Sequence, residues 1–214
     1  MIKNIKNTLI GCDFSINKPA TCLFHDNKYY FIAWPHGMKE DIKDIFKSNG
    51  VTIIDRTDDK EKGSTNSEQM RYVIENSNYL ANLIRASLEY FINKNTYLAF
   101  EGLSYASTGD MALQLGGYKY VTMNELKNII PLSNMFTYSP ITCKSIAGCA
   151  KRGMGKADMI DKFIEIGPNC AFRTALKNNP ELFQSKKAKN WIMLVDDLVD
   201  AYFVLKTLQI KEKL

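Results

Sequence analysis

An α/β domain on a mixed sheet is the fold class this sequence predicts, and three observations predict it. Three short apolar runs separated by turn residues open the chain, helical periodicities then alternate with further apolar runs, and a long apolar stretch closes it. At 214 residues and 45% hydrophobic, the chain can bury one sizeable core, so a single domain over 1–214 is expected.

The elements follow in order. "TLIGCDFS", "TCLFH" and "YYFIAW", divided by the turns "NKPA" and "DNK", are spaced as a three-stranded antiparallel meander. The polar segment "DRTDDKEKG", Asp55 to Gly63, reads as a solvated loop leading to a helix. In "SEQMRYVIENSNYLANLIRASLEYFI", Met70, Val73, Ile74, Leu80, Leu83, Ile84, Leu88 and Phe91 recur mostly at three- and four-residue intervals, which predicts a long helix packed by one face. "TYLAFEG" is a buried strand ending at Glu101, "MALQLGGYKYVTMNELKN" a helix with two glycines in its middle, and "NMFTYSP" a short strand closed by Pro140. "ITCKSIAGCAKRGMGKADMIDKFIEI" is rich in glycine and lysine at first and helical after. The polar stretch "KNNPELFQSKKAKN" separates it from the last helix, "NWIMLVDDLVDAYFVLKTL". There is no internal repeat and no low-complexity tract. Met111, Met123, Met135 and Met193 read as core fillers.

The bulk properties exclude several classes. No segment approaches a membrane-spanning length, and "MIKNIKNTLIGCDF" meets Asp13 too soon for a signal peptide, so a soluble, unsecreted protein with no membrane partner is expected. Five widely spaced cysteines (Cys12, Cys22, Cys143, Cys149, Cys170) with only His25 and His36 form neither a zinc pattern nor a disulfide framework. Neither histidine is placed as a general base. A net charge of +5 fits a polyanion partner without requiring one.

The informative residues are acids in apolar surroundings. Asp13 and Glu101 each stand at the carboxyl end of a strand, where α/β sheets form their sites. In the last helix Asp197 and Asp200, three apart, share a face that Ala201, Val204 and Leu208 continue, so both should face the sheet. Asp196, four from Asp200, qualifies by spacing as well. Two carboxylates ~4 Å apart repel by roughly 4 kcal/mol at an effective dielectric near 20, so four together call for a positive centre. A pair of Mg²⁺ ions with oxygen ligands answers this, with Mn²⁺ as substitute, and suits phosphodiester hydrolysis. The competing explanation is local: acids early in a helix offset its dipole or cap it, Asp13 serves a turn, and Glu101 pairs with a base.

Lys144, Lys151, Arg152 and Lys156 gather four positive charges in the glycine-bearing segment, where backbone can approach phosphates, and are read as DNA contacts. The alternative is a solvated loop. "AGCAKRGMGKAD" is not a nucleotide-binding P-loop, because Ala150 replaces its first glycine and Ala157 its Ser or Thr. Lys186, Lys187 and Lys189 flank the acidic helix or are surface charge, and Tyr105 either stacks on exposed bases or packs its loop.

In order along the chain, "IGCDFS", "LAFEGL", "LQLGGYKYVTMNEL", "TYSPITCKSIAG", "GKADMIDKF" and "DDLVDAYFVLKT" resemble the RuvC-type Holliday-junction resolvases of the RNase H-like superfamily. The resemblance maps that family's four acids onto Asp13, Glu101, Asp197 and Asp200, choosing Asp197 over Asp196, and its two functional lysines onto Lys144 and Lys156. It implies an RNase H-like fold, a five-stranded mixed sheet flanked by helices, and a homodimer that nicks two strands across a four-way DNA junction with Mg²⁺, in recombination and repair. A two-fold dimer suits a junction with two equivalent cleavage points. The sequence departs from the family in "DFS" after the first Asp, in the placement of Tyr105, and in a longer segment from Ile166 to Lys189, as a divergent phage or viral member would. The cytoplasm of a bacterial or virus-infected cell is then the expected location. Two other readings stay open: a non-catalytic DNA-junction binding module, and a related nuclease acting on flaps, other branched DNA or RNA–DNA hybrids.

Overall fold

The computed structural model describes residues 7–57, 65–103, 110–185 and 190–214. Tyr105, Lys186, Lys187 and Lys189 lie outside them, as does most of the loop expected from Asp55 to Gly63.

The meander forms as expected. β1 (Thr8–Asp13), β2 (Ala20–His25) and β3 (Lys28–Ala33) pair antiparallel in series, the β2–β3 turn running through Asp26 and Asn27 with positive φ. β5 (Thr96–Glu101) then pairs parallel with β1, and β6 (Met135–Tyr138) parallel with β5. The sheet carries one strand more than expected. β4 (Val51–Ile53) adds parallel to β3 through a crossover helix, α1 (Glu40–Ser48), giving the order β4-β3-β2-β1-β5-β6. Its signal was in the sequence: Ile42, Ile45 and Phe46 at helical spacing before "NG", with Gly50 at φ +82 to turn the chain.

Helices cover both faces. On one lie α2 (Asn66–Leu88), started by a Thr65–Glu68 capping box, and α3 (Asp110–Leu126), against Ile10, Cys12, Leu23, Ile32, Leu98 and Phe100. On the other lie α4 (Pro140–Ile146), α5 (Lys156–Ile166), α6 (Ala171–Asn178) and α7 (Met193–Lys211), against Leu9, Cys22, Phe31, Val51 and Ala99. α7 is the central helix of that layer. Leu198, Ala201, Phe203, Val204, Leu205 and Leu208 are all fully buried, because the sheet holds one side of it and α4 and α5 the other.

Two packing expectations are corrected. Met70 and Ile74 are exposed; the packed stripe of α2 begins near Asn76 and runs through Leu80, Ile84 and Leu88. Met193 is exposed at the mouth of α7, its sulfur 3.7 Å from Lys18 Nζ, whereas Met123 and Met135 pack as read. Ahead of α7, α6 and a 3-10 turn, Pro180–Phe183, bury Phe172 and Phe183 against Phe31, Phe46 and Phe163. Phe172 and Phe183, with Ala175 and Leu176, seat this segment on the core. Among the described residues all five cysteines are free, and no helix is long and apolar enough to cross a membrane.

Candidate active site

Strand alternation aims Asp13 and Glu101 the same way. In β1, Leu9 packs toward α7 and Ile10 and Cys12 toward α2 and α3; in β5, Ala99 packs toward α7 and Phe100 the other way. One residue on, Asp13 and Glu101 return to the α7 side. Cys12 and Phe100 are register partners, so the two acids end adjacent parallel strands side by side.

Gly11 then brings the helix to them. A Cβ at Gly11 would overlap the backbone nitrogen of Leu205 and the carbonyl oxygen of Ala201 and come within 2.7 Å of Leu205 Cα. Only hydrogen fits between β1 and α7 there. With Ala201 and Leu205 seated over Gly11, the turn before them places Asp197 and Asp200 at the Asp13 end of the strand. Asp197 is buried and Asp200 half-buried. The capping explanation does not hold for them: α7 starts after Ile192 with no side-chain cap, and neither Asp197 nor Asp200 lies in its first turn.

The four carboxylates act on one another. Asp13 is held well above the usual carboxylate range, by burial first and then by the charges of Glu101, Asp200 and Asp197. Burial, then Asp200, pushes Glu101 up to about 7. Burial also raises Asp197 to about 7, with Asp200 and Asp196 adding to it, and raises Asp200 to about 6. Lys156 opposes the rise at all four, and Lys144 at Glu101 and Asp200. The thiols of Cys12 and Cys143, both pushed up to about 12 mainly by burial, stay neutral. The charged donors are therefore carboxylate oxygens, the set that hard dications take. As they stand, no three acidic, histidine or cysteine side chains among the described residues are arranged to enclose a metal ion.

Each lysine is placed by a local signal. Asp158 Oδ2 accepts the Gly155 N–H at 2.6 Å and fixes the start of α5, where Lys156 is the first residue. Ser139 caps α4, with Pro140 at its first position and Lys144 in its last turn. Lys151 and Arg152 are exposed on the turn leading to α5, within the same segment. His25 hydrogen-bonds Thr8 Oγ1 at 2.8 Å, at the opposite end of β1.

Sequence reading missed Lys119. From α3, in the other helical layer, its buried side chain crosses the end of the sheet, donates to the Glu101 carbonyl and lies 5.7 Å from the Phe100 ring centroid. Burial lowers its pKa, while Cys12, Glu101 and Asp13 favour the charged form. The available signal was that Lys119 is the only charge in α3 between Asp110 and Glu125.

The fold has counterparts among solved structures. The chain superposes on the Thermus thermophilus RuvC structure with a TM-score of 0.52 at 10% identity, covering 96% of each chain. On T. thermophilus RuvC in complex with Holliday junction substrate the TM-score is 0.53, again at 10% identity, over 97% of this chain and 96% of that one. The fold is that of RuvC. A structure of the yeast mitochondrial Holliday junction resolvase Ydc2 matches at 15% identity and a TM-score of 0.49, over 99% and 87% of the two chains. No family model and no curated protein sequence matches the chain. The likeness to RuvC is thus one of backbone, a mixed α/β sheet between helices.

Proposed function

We propose that the chain is a structure-selective DNA endonuclease that resolves four-way junctions, working as a single RNase H-like domain over residues 1–214. The observation that carries this is the convergence of acids from β1, β5 and α7 on one end of the RuvC-like sheet, beside Lys144 and Lys156. The RuvC complex that it resembles holds a Holliday junction substrate, which supports branched DNA as the partner.

Asp13, Glu101, Asp197 and Asp200 would hold Mg²⁺, or Mn²⁺ in its place, as two ions. Bound there, the metal supplies an activated water and stabilises the leaving oxygen. Asp13, on which the charges of the other three acids all act, would be the central residue of the set that holds the metal. Lys156, together with Lys144, meets the negative phosphate and offsets charge that grows as the bond breaks. Lys119 keeps the Glu101 backbone in place from beneath the sheet end. Lys151 and Arg152 bind the DNA backbone, and a homodimer presents two such sites to the two cleavage points.

The test is nicking of four-way, Y-shaped, flap, linear and RNA–DNA substrates with Mg²⁺ or Mn²⁺ against EDTA. Four-way junctions should be nicked in pairs and only with metal. Asp13→Asn should lose nicking by at least about a thousandfold while still binding the junction. Undiminished cleavage by that variant, or cleavage in EDTA, would overturn the mechanism. Junction binding by the parent without nicking would make the chain a binding module, and preference for another substrate would move it to another branch of the superfamily.

A further inference from the structure

Asp196 is the acid that the proposed reaction leaves unused. It lies in the first turn of α7, and its Oδ2 accepts a hydrogen bond at 3.2 Å from Lys156 Nζ, which reaches across from the start of α5. The partners are unequal: the Lys156 side chain is 60% exposed and that of Asp196 only 12%. The carboxylate is the fixed end, because α7 is packed between the sheet and α5 on either side of it. The lysine is the mobile end, and holding its four-carbon stem in one place costs up to about 2 kcal/mol of rotamer freedom.

The pairing has a directional effect. Lys156 acts electrostatically on Asp13, Glu101, Asp197 and Asp200 together. A first-turn lysine at this exposure has open solvent available to it; among the described residues Asp196 is the carboxylate that bonds its ammonium directly, while the charges of Asp197 and Asp200 attract it without such a contact. Spacing along α7 would let Asp196 join Asp200 on one face, but its side chain is turned to α5 instead.

We propose that Asp196 is a positioning residue that holds the Lys156 ammonium across the mouth of the carboxylate pocket, where an incoming phosphate meets it, and that Asp196 is not itself a metal ligand. The part played by the phosphate rests on the nuclease reading; the ion pair does not.

The experiment uses the full chain with Asp196→Asn, Asp196→Glu and Lys156→Met, and the Asp196→Asn/Lys156→Met double variant. In DNA-free protein, acetylation of Lys156 by an N-hydroxysuccinimide ester is followed by peptide mass spectrometry. Asp196→Asn should label about threefold faster, the scale of a part-exposed ion pair, and Asp196→Glu near the parent rate. Mn²⁺ binding by calorimetry should be retained in Asp196→Asn and lost in Asp197→Asn. On junction DNA, Asp196→Asn should lower turnover about tenfold with half-saturation unchanged, and cause no further loss in the Lys156→Met background. Unchanged labelling overturns the proposal, as does loss of Mn²⁺ binding, or an equal drop in turnover on top of Lys156→Met. Should the parent nick no DNA, the nuclease reading falls, and labelling still decides whether Asp196 holds the lysine.

Discussion

Gly11→Ala tests the step on which the site's geometry depends. The new methyl would come within 2.7 Å of Leu205 Cα, where ordinary contact begins at 3.4 Å, and would overlap two further backbone atoms of α7. No side chain can rotate aside, so the helix itself must retreat by more than half an ångström. Overpacking of this kind costs about 1–3 kcal/mol. For a chain of this size each kcal/mol lowers the Tm by about 2–4 °C, so a fall of roughly 2–12 °C is expected. Because the same retreat carries Asp197 and Asp200 away from Asp13 and Glu101, nicking should drop further than stability does, on the order of a hundredfold for an ångström-scale misplacement. Thermal denaturation followed by circular dichroism and a junction-nicking assay measure the two effects. Gly117→Ala is the control: Gly117 is exposed on α3 with nothing within 4 Å of its Cβ, and the change should stabilise by about 0.5–1 kcal/mol. If Gly11→Ala melted within a degree of the parent and nicked at full rate, α7 would not be pinned to β1 as described.

In EDTA the protein should lose stability as pH rises. Acids whose folded pKa is raised bind protons more tightly folded than unfolded, so their contribution is complete below about pH 4 and lost as pH climbs through about 6 for Asp200 and about 7 for Glu101 and Asp197. Melting at pH 5 should therefore exceed melting at pH 7.5, and saturating Mg²⁺ should narrow the difference; a rising Tm in EDTA over this range would count against a shared pocket. Phe172→Ala should cost about 3–5 kcal/mol in urea denaturation, because the ring is fully buried among Phe31, Phe46, Phe163 and Phe183. A loss under 1 kcal/mol would mean that α6 is peripheral. Alanine at both Lys151 and Arg152 should weaken junction binding and reduce the slope of log affinity against log salt by up to about 2, measured by fluorescence anisotropy. An unchanged slope would remove them from the DNA interface.

Much of the fold was legible because its signals are local. Strand alternation, turn residues and helical spacing announce the meander, α2, α3, β5 and α7 within windows of a few residues each. β4 and α1 are short enough that their pattern is weak beside the runs on either side. The anchoring of the segment before α7 was not legible: burial of Phe172 and Phe183 depends on the cup formed by Phe31, Phe46 and Phe163, which arrive from elsewhere in the chain.

The same division applies to the site. From sequence alone, acids in apolar surroundings at strand ends and in a buried helix could be named, since charges in such places are costly and therefore conspicuous. Sequence could not separate Asp197 from Asp196, because both satisfy helical spacing; the structure separates them by burying one carboxylate and turning the other to Lys156. Lys119 stood out in sequence as a lone charge in its helix, but its partner did not: the helix lies in the opposite layer, and its amine reaches the Glu101 carbonyl past the Phe100 ring. Spacing determines which side chains share a face, but the distance between faces is set by packing, here by the missing Cβ at Gly11, and that belongs to the tertiary structure.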